Sequence, residues 1–209
     1  MATDRAAPLL RPLRWGLAAH GVEVAHAAAV ALDGRALLLA GRGGSGKSTL
    51  SVAALLGGFE LLGDDYVALG AEGEPHVHAL FATAKLDAAS LARLPELGDA
   101  APAAPAPGEK AVLPLGPLFT DRLPSTRPLA AIVAPRLGEA PALRRIGPAE
   151  ALRRLAPSTL FQLPGSDVVA FGRLAALVRR LPAFELTVGP QPRAALDLLA
   201  SLAREGTNG

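Results

Sequence analysis

The stretch ALLLAGRGGSGKSTLSVAALL, residues 36–56, decides the fold of this chain. It begins with an apolar run, passes through a loop of glycines and ends in helix-forming residues that Gly57 and Gly58 terminate. The loop satisfies the pattern G-x-x-x-x-G-K-[ST] at every fixed position from Gly41 to Ser48. This order of strand, glycine loop and helix predicts an α/β fold with a phosphate-binding loop of the P-loop type, because loop N–H groups and the helix N-terminus attract anions.

Each residue type in this loop has a chemical reason to contact a nucleotide. The glycines let N–H groups converge on phosphate oxygens, Lys47 can bind the β and γ phosphates, and the Ser48 hydroxyl is a ligand for Mg²⁺. Thr49 offers a second hydroxyl near the phosphates. A glycine-rich turn without a ligand would explain the glycines but not the adjoining Lys and Ser. The predicted nucleotide-binding residues are Gly41, Arg42, Gly43, Gly44, Ser45, Gly46, Lys47, Ser48 and Thr49.

The same loop also contains a rival motif. Its first, third and sixth residues fit the dinucleotide fingerprint G-x-G-x-x-G, and an acidic residue follows about 20 positions later, at Asp64 or Asp65. That fingerprint usually opens the first βαβ unit of its domain, whereas this loop follows a predicted hairpin. The dinucleotide interpretation also leaves Lys47 and Ser48 without a role. An NAD(P)-dependent oxidoreductase is therefore a less favoured alternative.

An acidic pair, Asp64 and Asp65, follows the predicted helix 16 and 17 positions beyond Ser48. That separation accommodates a helix of about three turns and a short strand, residues 59–62, that returns to the loop. Adjacent side chains on a strand face opposite ways, so we expect different roles for the two carboxylates. One can orient Mg²⁺ and the other can take the proton of an attacking hydroxyl. A solvated turn is the alternative for an isolated Asp-Asp pair, but the neighbouring loop favours function.

The rest of the sequence predicts a mixed central sheet with flanking helices. Asp33 and Gly34 form a two-residue hairpin signal between apolar runs at residues 24–32 and 36–40. A strand at 66–69 is predicted to continue the strand at 59–62. Further strands are predicted at 76–81, 110–115, 129–134, 142–146 and 184–188, and helices at 88–94 after an Asp87 cap, from Pro148 toward Leu155, from a cap at Ser166 or Asp167 to Leu181, and from Pro192 to near Arg204.

Length and composition predict a single globular domain over residues 1–209, because 209 residues of which half are hydrophobic can bury a sizeable core. We expect a flexible N-terminus at 1–11 and a loop at 99–108, whose sequence DAAPAAPAPG suits either a lid or a passive connection. There is no cysteine, no signal peptide and no apolar run of membrane-spanning length, which predicts a cytoplasmic protein without a membrane partner. A net charge of +2 and eight aromatic residues do not favour nucleic acid.

The segment from His26 to Asp65 resembles the catalytic core of HPr kinase/phosphorylase, particularly its shorter bacterial relatives described as serine kinases of HPr type. It reads His26-AAAVALDGRALLLA-GRGGSGKS-TLSVAALLGGFELLG-Asp64-Asp65, with the histidine 15 residues before the loop as in that family. The resemblance implies a fold related to phosphoenolpyruvate carboxykinase. It also implies ATP- and Mg²⁺-dependent phosphorylation of a serine on a protein or peptide. By the same resemblance, Asp64 is the acid/base, Asp65 joins Ser48 at the metal, and His26 lies beside them.

Two features depart from the full kinases of that family. Thr49 stands where they carry an acidic residue, and only 40 residues precede the loop, so their separate N-terminal domain and recognition of HPr itself are not expected. A nucleotide-binding module that has lost catalysis and acts as a regulatory or biosynthetic-cluster partner is therefore a second alternative. Assembly into a homo-oligomer is left open.

Weaker signals lie outside the loop. Lys85 and Lys110, two of only three lysines, can meet phosphate or an acidic acceptor as point charges. His76 and His78 fall on one strand face at a spacing that can chelate metal, without an evident third ligand. Arg122 lies on a candidate substrate loop, for which a solvated turn is the favoured alternative.

Overall fold

The computed structural model describes residues 6–162 and 168–205. The helices are α1 Leu10–Ala18, α2 Lys47–Leu56, α3 Ala88–Ala92, α4 Gly116–Phe119, α5 Pro148–Gln162, α6 Val168–Arg180 and α7 Leu196–Glu205, with 3₁₀ turns at Pro95–Ala100, Thr120–Arg122 and Pro192–Ala195. The strands are β1 Val22–Ala25, β2 Ala28–Leu32, β3 Arg35–Leu39, β4 Glu60–Gly63, β5 Val67–Gly70, β6 His76–Ala79, β7 Thr83–Leu86, β8 Ala111–Pro114, β9 Thr126–Leu137, β10 Ala142–Ile146 and β11 Ala183–Val188.

In the described part of the chain, nine strands form a central sheet, which is mixed as the sequence predicted. Its main path runs β1-β5-β6-β9-β3-β2-β4, while β11 pairs with β9 and β10 pairs with β11. Strands β3, β9 and β11 are mutually parallel along this sheet, and the other pairings are antiparallel. Strands β7 and β8 form a separate antiparallel pair. The carboxyl ends of parallel strands share one edge of a sheet, where ligands of open α/β folds bind.

Helices cover both faces of the sheet because the side chains of β3 alternate. Leu37 and Leu39 belong to a hydrophobic cluster that includes residues of α2 and α7. Leu38 points the other way, into a cluster with residues of α5 and α6. This three-layer packing confirms the predicted mixed α/β architecture with flanking helices.

The central hairpin and the helix after the glycine loop agree closely with the prediction. Strands β2 and β3 pair antiparallel around Asp33 and Gly34, whose φ angles of 50° and 79° are those of a tight two-residue turn. Helix α2 spans Lys47–Leu56 as expected. The apolar run 24–32 is nevertheless interrupted at His26 and Ala27, so β1 and β2 are separate strands.

The predicted continuation of β4 into residues 66–69 is wrong. The chain bends after Gly63, and β5 pairs with β1 and β6 while β4 pairs with β2. Gly63 permits the bend, because a Cβ there would lie 2.8 Å from Val67 Cγ1. Asp64 and Asp65 therefore lie in a bend between two strands and not within one strand.

The ends of several elements also differ from expectation. Residues 6–11, expected to be flexible, include the buried Ala6 and Ala7 and the start of α1, because Ala7 packs against Val24 and Tyr66. Strand β9 and helix α5 are longer than predicted. The expected cap at 166 or 167 lies outside the described residues. Within those residues, no helix is long and apolar enough to cross a membrane.

Candidate functional site

The glycine loop leaves the carboxyl end of β3 and enters α2. Gly44 and Gly46 have φ angles of 78° and 93°, which strain any residue other than glycine. A Cβ at Gly41 would lie 2.7 Å from Ser45 Oγ and 3.2 Å from Ser45 Cβ, so a side chain there would require Ser45 to shift. The path of the loop therefore depends on several of its glycines.

Lys47 is buried, with 6% of its surface exposed, and its ammonium group lies over the loop. Nζ donates to the carbonyl oxygens of Gly41 at 2.6 Å and Arg42 at 3.2 Å. Burial lowers the pKa of Lys47, and the negative charges of Asp64 and Asp65 oppose that shift. The ammonium group is thus held beside the loop backbone, where a phosphate oxygen can replace a carbonyl as its partner.

Thr49 joins α2 to α3. Its hydroxyl donates to Ser90 Oγ at 2.8 Å, and the backbone N–H of Ser90 donates to Asp87 Oδ1 at 2.7 Å. Asp87 is the N-cap of α3, as the sequence predicted. The hydroxyl of Thr49 therefore has a partner within the protein, and its contact with a nucleotide stays a prediction.

Asp64 is buried behind the loop, with 1% of its surface exposed. Oδ1 accepts a hydrogen bond from Ser51 Oγ at 2.9 Å, and Oδ2 accepts one from the backbone N–H of Lys85 at 3.0 Å. Burial raises the pKa of Asp64, an effect that hydrogen bonds from Lys85, Ser51 and Ser48 only partly oppose.

Both carboxylate oxygens of Asp65 have a side-chain hydrogen-bond partner. His26 Nε2 donates to Oδ1 at 3.1 Å, and Lys85 Nζ donates to Oδ2 at 2.7 Å. Burial alone would raise the pKa of Asp65, but the hydrogen bonds and charges of His26 and Lys85 hold it well below its ordinary value. Asp65 is therefore ionised at neutral pH.

His26 is fixed by three elements of the fold. Its backbone N–H donates to Thr159 Oγ1 of α5 at 3.1 Å, and its ring lies 5.4 Å from the ring of Tyr66. The residue stands in the break between β1 and β2, so its side chain reaches the bend that carries Asp65. The spacing in the sequence does bring His26 to the acidic pair.

A cavity of about 390 Å³ unites these groups, and we call it the loop cavity. Of the predicted site residues, it is lined by His26, Gly43, Gly44, Ser45, Gly46, Lys47, Ser48, Thr49 and Asp65. Gly41, Arg42 and Asp64 are absent from the described residues of its lining. The other described lining residues are Tyr66, Lys85, Asp87, Ala89, Ser90, Arg93, Lys110 and Leu137.

Sequence reasoning did not assign several residues that the fold brings here. Lys85 touches both carboxylates, and its only signal in the sequence was the rarity of lysine. Ser51, Tyr66 and Ser90 gave no signal, because their partners are remote in sequence.

The weaker candidates lie elsewhere. His76 and His78 line a different cavity, together with His20, and the described residues contain no group of three or more His, Cys, Asp or Glu side chains able to hold a metal ion. The guanidinium of the exposed Arg122 donates to the carbonyl oxygen of Leu55 at 3.0 Å, near the C-terminal end of α2, and a substrate contact for Arg122 stays a prediction.

The sheet, the parallel strands and the loop at their carboxyl edge place this chain in a known fold. It is similar to the solved structure of the Hpr(Ser) kinase/phosphatase from Coxiella burnetii, with a TM-score of 0.52 over 90% of this chain and 99% of that chain. The sequences are 14% identical, so the similarity establishes the relationship of fold. No family model matches this sequence. No curated protein matches it either.

Proposed function

We propose that this chain binds ATP and Mg²⁺ at the glycine loop and transfers the γ phosphoryl group to the hydroxyl of a serine in a protein or peptide. One observation carries the proposal: the loop cavity holds Lys47 and Ser48 on one wall and the ionised Asp65 on another. Phosphoryl transfer needs those parts in one place, since a lysine neutralises phosphate charge and a carboxylate orients the nucleophile. The similarity to a kinase/phosphatase fold supports the same reading.

The oxygen groups around Ser48 suit Mg²⁺. This cation prefers oxygen ligands and is usually held by one or two carboxylates together with phosphates. Ser48 lines the cavity and lowers the pKa of the Asp64 carboxylate by hydrogen bonding, while Asp65 lies in the cavity wall. When bound, the metal would neutralise charge on the phosphates. Ser48 would hold it together with the phosphates of the nucleotide, and Asp65 is the carboxylate that reaches the same cavity.

We assign the base to Asp65, whereas the resemblance implied Asp64. A general base must come within hydrogen-bond reach of the proton that it accepts. Asp65 lies in the cavity wall beside His26, but Asp64 is buried beneath it and bonded to Ser51 and Lys85. In a loose transition state the carboxylate chiefly orients the hydroxyl, so the low pKa of Asp65 is compatible with this task. Asp64 then positions Ser48.

Titration calorimetry with Mg-ATP and with NADH tests nucleotide choice, and an array of serine-centred peptides with radiolabelled ATP tests transfer. We expect Mg-ATP to bind with micromolar to millimolar affinity and NADH to bind weakly or not at all. Peptides on the array should be labelled by the wild type, and Lys47→Ala should abolish this labelling. Tight NADH binding without ATP binding would contradict the proposal and favour the oxidoreductase.

A nucleotide-binding module without catalysis is the second candidate. It is favoured by Thr49, whose hydroxyl is bonded to Ser90 and which brings no carboxylate to the metal. Mg-ATP binding with no labelled peptide on the array would support this candidate.

A further inference from the structure

A second cavity, of about 720 Å³, adjoins the glycine loop, and we call it the arginine groove. Its described charged lining residues are four arginines and one glutamate. Glycines, prolines, a serine and a leucine complete the described lining. The charged residues are Arg42, Arg136, Glu150, Arg153 and Arg154.

Acidic residues of the protein neutralise only part of this charge. Glu185 accepts from Arg154 at 2.7 Å and pairs with Arg136 at 3.6 Å, and Glu150 lies 3.4 Å from Arg154. Arg42 and Arg153 are exposed and make no ion pair within the described part of the chain. The groove therefore concentrates positive charge in a protein whose net charge is only +2.

The arginine groove and the loop cavity share a wall. Gly43, Gly44, Ser45 and Leu137 line both of them. A chain that lies in the groove can therefore reach the loop cavity across a few loop residues. The groove is thus placed to hold the segment next to a reacting hydroxyl.

The chemistry of the groove selects a polypeptide over a nucleic acid. None of its described lining residues is aromatic, and single-stranded nucleic acids are commonly held by stacking of bases on aromatic side chains. Arginine binds carboxylates through paired hydrogen bonds, and an extended peptide presents a side chain to the same surface about every 7 Å.

We propose that the arginine groove binds an acidic segment of the phospho-acceptor polypeptide and so selects hydroxyls that are flanked by Asp or Glu. This inference rests on the proposed function, because it names the substrate class of the same site. It concerns a cavity whose described lining does not include Lys47, Asp65 or His26.

The test uses two fluorescein-labelled peptides, Glu-Glu-Asp-Ser-Asp-Glu-Glu and its Gln/Asn counterpart, followed by fluorescence anisotropy. Arg136→Gln/Arg153→Gln removes two groove charges. Arg11→Gln/Arg179→Gln removes two exposed arginines that are not in the groove and is the matched control. We expect the acidic peptide to bind the groove variant about tenfold more weakly than the control variant. The difference should shrink as salt is raised from 0.05 to 0.5 M, since salt screens exposed charges.

Equal binding of the acidic and neutral peptides, or equal affinity of the two double variants, would overturn the inference. The inference would also be overturned if a (dT)12 strand bound more tightly than the acidic peptide and if this binding were lost in the groove variant. Mg-ATP titration of the same samples separates the two proposals. If the wild type does not bind ATP, the proposed function is refuted. If it binds ATP but its binding of the acidic peptide does not depend on the groove arginines, only the inference about the groove is refuted.

Discussion

Two sets of polar groups at the loop cavity are held in different ways. In the first set, Asp65 is paired with His26 and Lys85 and keeps 22% of its side chain exposed. The second set consists of Thr49 and Ser90 in the cavity wall and Ser51 and Asp64 behind it; all four are buried and have hydroxyl or backbone hydrogen bonds, and we call them the buried polar layer.

This difference separates chemistry from support. A partly exposed carboxylate with charged partners can exchange a partner for a ligand, whereas a buried group that loses its partner is left unsatisfied. We therefore expect substitutions of the charged groups of the cavity, such as Asp65 and Lys47, chiefly to reduce activity. Substitutions in the buried polar layer should chiefly change stability.

The largest effect should come from the base. Asp65→Asn is expected to lower phosphoryl transfer by about 10³-fold with Mg-ATP affinity changed only a few-fold, the scale of general acid–base catalysis. Asp64→Asn, the adjacent matched variant, should lower it by about tenfold, because Asp64 acts through Ser48. Rates on a labelled peptide from the array measure both. If Asp64→Asn lowered the rate of phosphoryl transfer more than Asp65→Asn did, the base would be Asp64, as the family resemblance implied.

Lys47→Ala should weaken Mg-ATP binding by about 100-fold, since a charge-assisted hydrogen bond to phosphate is removed. Lys110→Ala is the comparison, because Lys110 lines the same cavity but lies outside the loop. We expect a loss below tenfold for it. Calorimetric titration decides between them, and equal losses would show that any nearby positive charge suffices.

The two aspartates should have opposite effects on the pH dependence of stability. The lowered pKa of Asp65 stabilises the fold above about pH 3.8, and this contribution is lost as the pH falls through the folded-state pKa. The raised pKa of Asp64 has the reverse sign: its contribution is fully present below about pH 3.8 and is lost as the pH rises.

The change in the free energy of unfolding caused by Asp64→Asn should therefore be more favourable at pH 7 than at pH 3. The change caused by Asp65→Asn should be less favourable at pH 7 than at pH 3, and each difference should be about 1 kcal/mol or more. Urea unfolding at the two pH values measures the differences. Shifts of the same sign in both variants would contradict the separation of cavity and buried polar layer.

The smallest effect concerns the bond between α2 and α3. Thr49→Val keeps the shape of the side chain but leaves the Ser90 hydroxyl without its donor, which should cost about 1 kcal/mol of stability. Ser90→Ala should cost a similar amount, and the double variant should cost less than the sum of the two. Full additivity in urea unfolding would show that the bond contributes nothing to stability.

Much of the fold could be read from local patterns. The hairpin at Asp33 and Gly34, the loop and α2 depend on neighbouring residues, and the structure confirms their positions. The bend at 64–66 could not be read, because it depends on the pairing of β4 with β2 and of β5 with β1 and β6. The longer β9 was missed for the same reason, since its ends are defined by pairing with β6 and β11.

The sequence by itself determined the strand, the glycine loop and the helix, because backbone preferences and the pattern of apolar residues act over a few positions. Only the tertiary structure decided which acid faces the cavity. Lys85 lies 20 residues beyond Asp65, and β7 brings its ammonium group to that carboxylate and its backbone N–H to Asp64. Contacts between remote residues set burial and charge, and these fix the different states of two adjacent aspartates.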